Sequence, residues 1–140
     1  MIEAILEILY PSTCIFCGRI CKEGICERCR AENPYIREPR CKRCGKPISS
    51  EEEEFCHDCI KQKFCYEQGR SLWLNNNSVK QSVYAFKYKN HRIYGRVYAR
   101  EMAIEFGELI RLWGIDIIVP VPLHKKKVRK RGFNQAEIIA

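Results

Sequence analysis

No segment of this 140-residue sequence is suited to crossing a bilayer. Its most apolar run, 117–123 (IIVPVPL), carries two prolines and follows Asp116, whereas a spanning helix needs about 20 consecutive apolar residues. Also lacking is a basic segment ahead of the apolar stretch MIEAILEILYP, which Glu3 and Glu7 interrupt, so no secretory signal and a cytoplasmic location are expected. The composition lacks the bias of a disordered or fibrous chain: 46% hydrophobic and 30% charged residues describe globular protein, one domain or two small ones. Only cysteine stands in excess. Eight of the ten cysteines fall into four Cys-x-x-Cys pairs, and without a secretion signal that spacing reads as metal binding rather than disulfides.

Net charge is absent from the first half. Residues 1–65 hold 11 basic and 11 acidic side chains, whereas residues 66–140 hold 14 basic and 6 acidic. The whole surplus of +8 therefore belongs to the second half. Two divalent ions on eight thiolates would leave the first half at about −4 and the molecule at about +4. A neutral or acidic metal module precedes a basic one.

The pairs are Cys14/Cys17, Cys26/Cys29, Cys41/Cys44 and Cys56/Cys59. Two residues between cysteines let both sulfurs face one ion across a tight turn, and a following glycine, here Gly18 and Gly45, relieves the backbone beneath it. Pro11 and Pro39 precede the two glycine knuckles, so a unit of knuckle, short arm and second pair repeats with a period of 27 residues. Two four-cysteine sites for two structural zinc ions are expected. Chain-order pairing gives Cys14, Cys17, Cys26 and Cys29 for one ion and Cys41, Cys44, Cys56 and Cys59 for the other. The repeat favours this arrangement, with a cross-braced one as the competing topology. Such sites leave no open coordination position and hold chain together without doing chemistry. So little apolar area is available that metal binding and folding should coincide. His57 reads as a solvent-facing knuckle residue, Cys21 and Cys65 as unmodified thiols, and Glu51–Glu54 as a solvated loop.

Beyond the cysteines, 66–74 (YEQGRSLWL) reads as a strand and Asn75–Asn77 as a turn. Ser78 caps a predicted helix through about Tyr88, with Val79, Val83 and Phe86 on its buried face. A second helix is predicted over 91–113, with Tyr94, Tyr98, Met102, Phe106, Leu109 and Trp113 as core and Gly114 as its end. The β-branched run 116–121 (DIIVPV) predicts a strand buried on both faces, as in a parallel sheet. It leads into a basic loop, Lys125, Lys126, Lys127, Arg129, Lys130 and Arg131, suited to phosphate at the carboxyl edge of such a sheet. Lys87, Lys89, His91 and Arg92 form a secondary patch.

Taken together, the paired cysteines, the SLWL segment with the helix ending in FKYKNH, and above all DIIVPVPLHKKKVRKRGFNQA at 116–136 resemble the competence protein ComF family, a branch of phosphoribosyltransferase-like proteins. The likeness runs from Ile2 to Ala140. It implies an N-terminal helix and double zinc ribbon over 1–65, then over 66–140 the first part of an α/β type I phosphoribosyltransferase-like domain. In that family, Val119–His124 lie beyond the first core strand, so Val121, Pro122, Leu123 and His124 would form the loop where the pyrophosphate of phosphoribosyl pyrophosphate is held. Arg129, Arg131, Gly132, Phe133, Asn134 and Gln135 would line or support the same crevice. The family is associated with uptake of single-stranded DNA in natural transformation, beside helicase-like and recombination partners.

The family's ribose-phosphate loop, a strand ending in paired acids and a Thr-Thr-Gly-x-Thr turn, has no counterpart: the sequence contains no Gly-x-Thr. Transferase chemistry is therefore not expected of these residues as they stand, and the sequence reads as the N-terminal part of a longer protein. Residues 115–140 should consequently be poorly anchored or pack against another molecule. The leading expectation is a zinc-stabilised, single-stranded-DNA-binding protein of DNA uptake. A fragment of an active phosphoribosyltransferase and a zinc-ribbon protein-interaction module are the alternatives.

Overall fold

The computed structural model describes residues 11–62 and 64–140, so the expected N-terminal helix lies outside the described residues. Among the described residues six helices follow one another: α1 (Glu27–Glu32), α2 (His57–Lys61), α3 (Asn77–Tyr88), α4 (Ile93–Leu112), α5 (Lys125–Arg131) and α6 (Gln135–Ile139). Packing divides the described chain into two compact units, residues 11–32 with 76–140 and residues 33–75. Each unit holds one four-cysteine ribbon, and the first ribbon lies in the same unit as the long helices α3 and α4.

α3 and α4 form where the apolar spacing predicts. Asn76, not Ser78, caps α3, its side chain accepting from the Val79 amide at 3.0 Å while Ser78 donates to the same oxygen. The residue before the first helical amide is the one geometrically able to reach its orphan donors. Phe86 is buried from α3, and Tyr94, Tyr98 and Phe106 from α4, whereas Trp113 at the frayed end is exposed. Buried Ser82 and Tyr98 share a 2.6 Å hydroxyl bond across the two helices. Gly114, at φ +60°, ends α4 in the left-handed conformation expected of a C-terminal glycine. Gly95 lets Ile138 of α6 and the Phe86 ring approach α4: a Cβ there would lie 2.4 Å and 2.9 Å from them.

Neither expected strand forms. Among the described residues only two isolated bridges occur, Thr13 with Ile20 and Arg40 with Pro47, both inside the cysteine knuckles. Residues 66–74 instead wrap the second ribbon, the Gly69 amide donating to Arg43, the Ser71 hydroxyl to Cys44, and the Leu72 carbonyl accepting from Ile36. Only two of those bonds join backbones, one to Arg43 and one to Ile36 in a different segment, and they build no ladder. Residues 116–121 are extended without a partner strand, with Ile117 and Val119 about three-quarters exposed (75% and 76%). A strand buried on both faces exists only with neighbours to receive its hydrogen bonds and cover its side chains. No other strand is present among the described residues to supply them, and the α/β domain expected over 66–140 is accordingly not seen.

The basic loop is likewise replaced, by α5. Lysine and arginine are good helix formers, and the His124 imidazole accepts from the Lys126 amide at 3.3 Å. Gly132, at φ +77°, closes the helix with its amide on the Val128 carbonyl at 2.7 Å. Arg129, Lys130 and Arg131 occupy the last turn, where positive charge complements the helix dipole.

Candidate functional site

Each knuckle is built alike. The Cys14 amide donates to the Arg19 carbonyl and the Cys41 amide to that of Lys46, both at 2.7 Å; the Gly18 and Gly45 amides return to the Cys14 and Cys41 carbonyls, both at 2.9 Å. Gly18 and Gly45 sit at φ +73° and +72°, where any side chain is strained. The 27-residue repeat is thus a repeat of geometry, though it holds only for the knuckles. The second pairs, at 26/29 and 56/59, are offset by 30 because the second arm, which holds the glutamate run, is three residues longer. That run is not wholly free, since Glu54 is ion-paired with Lys42 of the knuckle.

The sulfurs gather in chain order. Cys14, Cys17, Cys26 and Cys29 form one cluster and Cys41, Cys44, Cys56 and Cys59 the other, the four Sγ atoms of each lying within 4.8 Å of one another. The Cys17–Cys26 and Cys44–Cys56 sulfurs are 3.7 Å apart. Zinc–sulfur bonds of about 2.3 Å in a tetrahedron place sulfurs roughly 3.8 Å apart, so each cluster fits one structural zinc ion. Burial raises the Cys14 thiol, but backbone amides of Cys26, Cys17 and Phe16 outweigh it and bring the thiol down to about 7. Against the same burial, amides of Cys44, Cys56 and Arg43 bring Cys41 to about 6. Cys29 and Cys59 are pushed up, by burial first and then by neighbouring sulfurs. Crowding four thiolates together is what a divalent cation relieves. With all four ligand positions filled by sulfur, the sites support the fold and offer no position for substrate. His57 points to solvent, as its pair's two sulfurs imply.

The first centre is tied to the long helices. Arg30, one residue after ligand Cys29, donates to both oxygens of Glu101 on α4, at 2.6 Å and 3.2 Å. Arg100 adds a 3.0 Å bond to the same carboxylate and another to the Glu23 carbonyl. Glu101 is fully buried, a position a carboxylate holds only when its oxygens are answered by charged donors. Gly24, at φ +74°, admits Val97 of α4 close against the ribbon, 2.5 Å from where a Cβ would stand.

On the same unit, the end of α3, the α3–α4 turn and the last turn of α5 enclose a cavity of about 540 Å³. Five cations line it, Lys87, Arg92, Arg129, Lys130 and Arg131, with Tyr84, Tyr88, Asn90 and Gly132, and no carboxylate among the described residues. Asn90, at φ +57°, makes the turn, and its side chain accepts from Arg92 Nε at 3.0 Å. Arg92 reaches the Gly132 carbonyl at 3.4 Å and lies 4.9 Å over the Phe133 ring, joining the turn to α5. The structure therefore joins half of each expected basic group. Lys125, Lys126 and Lys127 lie at the exposed far end of α5, outside the cavity, and Lys89 and His91 of the α3–α4 turn do not line it either.

The residues expected around a pyrophosphate loop are dispersed. Val121 and Pro122 are exposed, Leu123 is half-buried, and His124 caps α5. Gly132 lines the cavity, while Phe133, Asn134 and Gln135 are buried, Phe133 packing 5.6 Å from Phe86. Asn134 caps α6 and donates to the Val121 carbonyl at 3.3 Å, and Gln135 accepts from Arg131 at 2.7 Å. Sequence reasoning passed over Glu101, Tyr84 and Tyr88. Glu101 carries a signal only in hindsight, as an acid on the apolar face of a helix. The tyrosines lie one turn apart, off the face marked by Val79, Val83 and Phe86.

Comparison with known proteins adds the following. Residues 5–60 match the family described as double zinc ribbon domain. The chain is 27% identical over 124 residues to competence protein ComFC of Bacillus subtilis (strain 168), an alignment covering 84% of this chain and 50% of that protein. It is 25% identical over 133 residues to competence protein F of Haemophilus influenzae, covering 91% of this chain and 57% of that one. The chain thus spans about half the length of the curated relatives it matches. No solved structure matches it.

Proposed function

We propose that this chain is a ComF-type protein of DNA uptake, in which two zinc ions hold the fold together and the basic cavity beside α3 and α5 binds single-stranded DNA. Similarity to two proteins named for competence supports the setting. The observation that carries the binding function is the cavity itself. Five cations converge there from parts of the chain some forty residues apart, and no acid among the described residues lines it to neutralise them. Such a field attracts a polyanion and steers its approach. The exposed lysines at 125–127 extend the positive surface along α5 for a strand leaving the cavity. No transferase step is assigned: of the residues expected around pyrophosphate, His124 and Asn134 cap helices, Phe133 and Gln135 are buried, and Val121 and Pro122 stand exposed.

A salt titration of oligonucleotide binding tests this reading. For three or four phosphate contacts, log affinity should fall against log salt with a slope of roughly −2 to −3, at about −0.7 per contact on a single strand. Replacing Arg129 and Lys130 together by glutamate should abolish binding at moderate salt. No binding at low salt, or binding indifferent to salt, would remove the proposal.

A further inference from the structure

The outer face of α3 carries two large rings that the fold does not bury. Val79, Ser82, Val83 and Phe86 turn inward, whereas Tyr84 and Tyr88 stand 55% and 52% exposed with ring centroids 5.0 Å apart. An aromatic side chain can bury 150–250 Å² or so, and two adjacent ones left in water on a helix this short forgo a large packing contribution. Both line the cavity that holds the five cations. One is held in place from outside its own helix: the Arg131 guanidinium lies 4.7 Å over the Tyr88 ring and donates to its hydroxyl at 2.8 Å, while its other amino group is held by Gln135 at 2.7 Å. The cavity, at about 540 Å³, has room for a nucleotide against these rings.

We propose that Tyr84 and Tyr88 form a base-stacking platform, so that the cavity takes unpaired nucleotides by their ring faces while Lys87, Arg129 and Lys130 hold the adjoining phosphates. This rests on the nucleic-acid reading above and adds what that reading leaves open, namely how a paired strand is rejected. Cations alone bind duplex and single strand through the same phosphates. Ring faces discriminate, because in a duplex the base faces are already stacked on one another. Every base has such a face, so the platform selects unpaired strands with little regard to sequence. Arg131 acts as a positioning residue that keeps the Tyr88 ring turned to the cavity.

The test is equilibrium binding of a fluorescent thymidine oligonucleotide, and of the same strand in a duplex, to the zinc-loaded chain. Tyr84→Ala is the principal variant, since Tyr84 is exposed and its loss leaves the core intact; Tyr84→Phe and Tyr88→Phe keep the rings. Tyr84→Ala should weaken single-strand binding roughly tenfold with the salt slope unchanged, and the phenylalanine variants should stay within about twofold of wild type. Wild-type protein should prefer the single strand over the duplex, and Tyr84→Ala should reduce that preference. Salt-dependent wild-type binding that Tyr84→Ala leaves intact, or equal wild-type affinity for both forms, would overturn the platform while sparing the nucleic-acid reading. Absence of any wild-type binding would overturn both.

Discussion

Removing Arg30 should damage the protein more than removing the charge it answers. Glu101 has no exposed side-chain surface, while Arg30 and Arg100 are 41% and 44% exposed. Arg30→Ala takes away both of that arginine's bonds to the carboxylate and leaves Arg100 to answer the buried charge. Breaking a buried ion pair costs about 3–5 kcal/mol when the stranded charge has no other partner. Arg100 persists and water can reach the vacated side, which lowers the expected loss to about 2–3 kcal/mol. Glu101→Leu strands nothing: both arginines already reach solvent, so its cost should be about 1 kcal/mol. The double variant Arg30→Met with Glu101→Leu should be no worse than Arg30→Ala, since apolar replacement of a buried pair is often neutral. Thermal unfolding of the zinc-loaded protein followed by circular dichroism measures this. At about 4 °C per kcal/mol, Arg30→Ala should lower the melting temperature of this unit by roughly 8–12 °C. Hydrogen exchange should show the loss at the Cys14, Ile15 and Cys21 amides, which close the first ribbon. Equal and additive losses for Arg30→Ala and Glu101→Leu would refute the claim that a buried charge ties the ribbon to α4.

The two metal centres should fail separately. Cys26→Ser and Cys56→Ser should each reduce bound zinc from two ions to one in a chelator assay, with exchange protection lost over 11–32 in the first case and 33–75 in the second. The glycines of α4 offer a matched pair: Gly95→Ala meets Ile138 and Phe86 and should destabilise by about 1–2 kcal/mol net of its better helix propensity, whereas Gly107→Ala meets nothing and should stabilise by up to about 1 kcal/mol, both read by urea unfolding. Burial pushes the Tyr98 phenol up to about 12, only partly offset by its bond to Ser82. An acid whose folded value lies above its unfolded one supports the fold fully below the unfolded value of about 10 and loses that support as pH rises toward 12. Wild-type stability should therefore fall between those limits, and Tyr98→Phe, about 1 kcal/mol weaker at neutral pH, should lack that part of the alkaline decline.

What could be read without coordinates was whatever depends on near neighbours in sequence. Cys-x-x-Cys spacing with a following glycine is a local turn, and Gly18 and Gly45 adopt the conformation that spacing demands. Helices α3 and α4 announce themselves by apolar residues at three- and four-residue steps, a period the backbone itself imposes. The run at 116–121 misled for the opposite reason: β-branched residues state a preference, but a strand is completed by partners elsewhere, and none lies among the described residues. The basic run misled less, since its charges were legible while the helix that splits them between two ends of α5 was not.

Sequence by itself therefore determined the four Cys-x-x-Cys pairs, the turns beneath them and the faces of the long helices, because each follows from chain geometry over a few residues. Tertiary structure decided that the sulfurs close in chain order, that Arg30 meets Glu101 across 71 positions, and that Tyr84 and Tyr88 share a cavity with Arg129, Lys130 and Arg131. Those are encounters between distant segments, and only the packing of the whole chain selects which of the many available partners a charge, a thiol or a ring will meet.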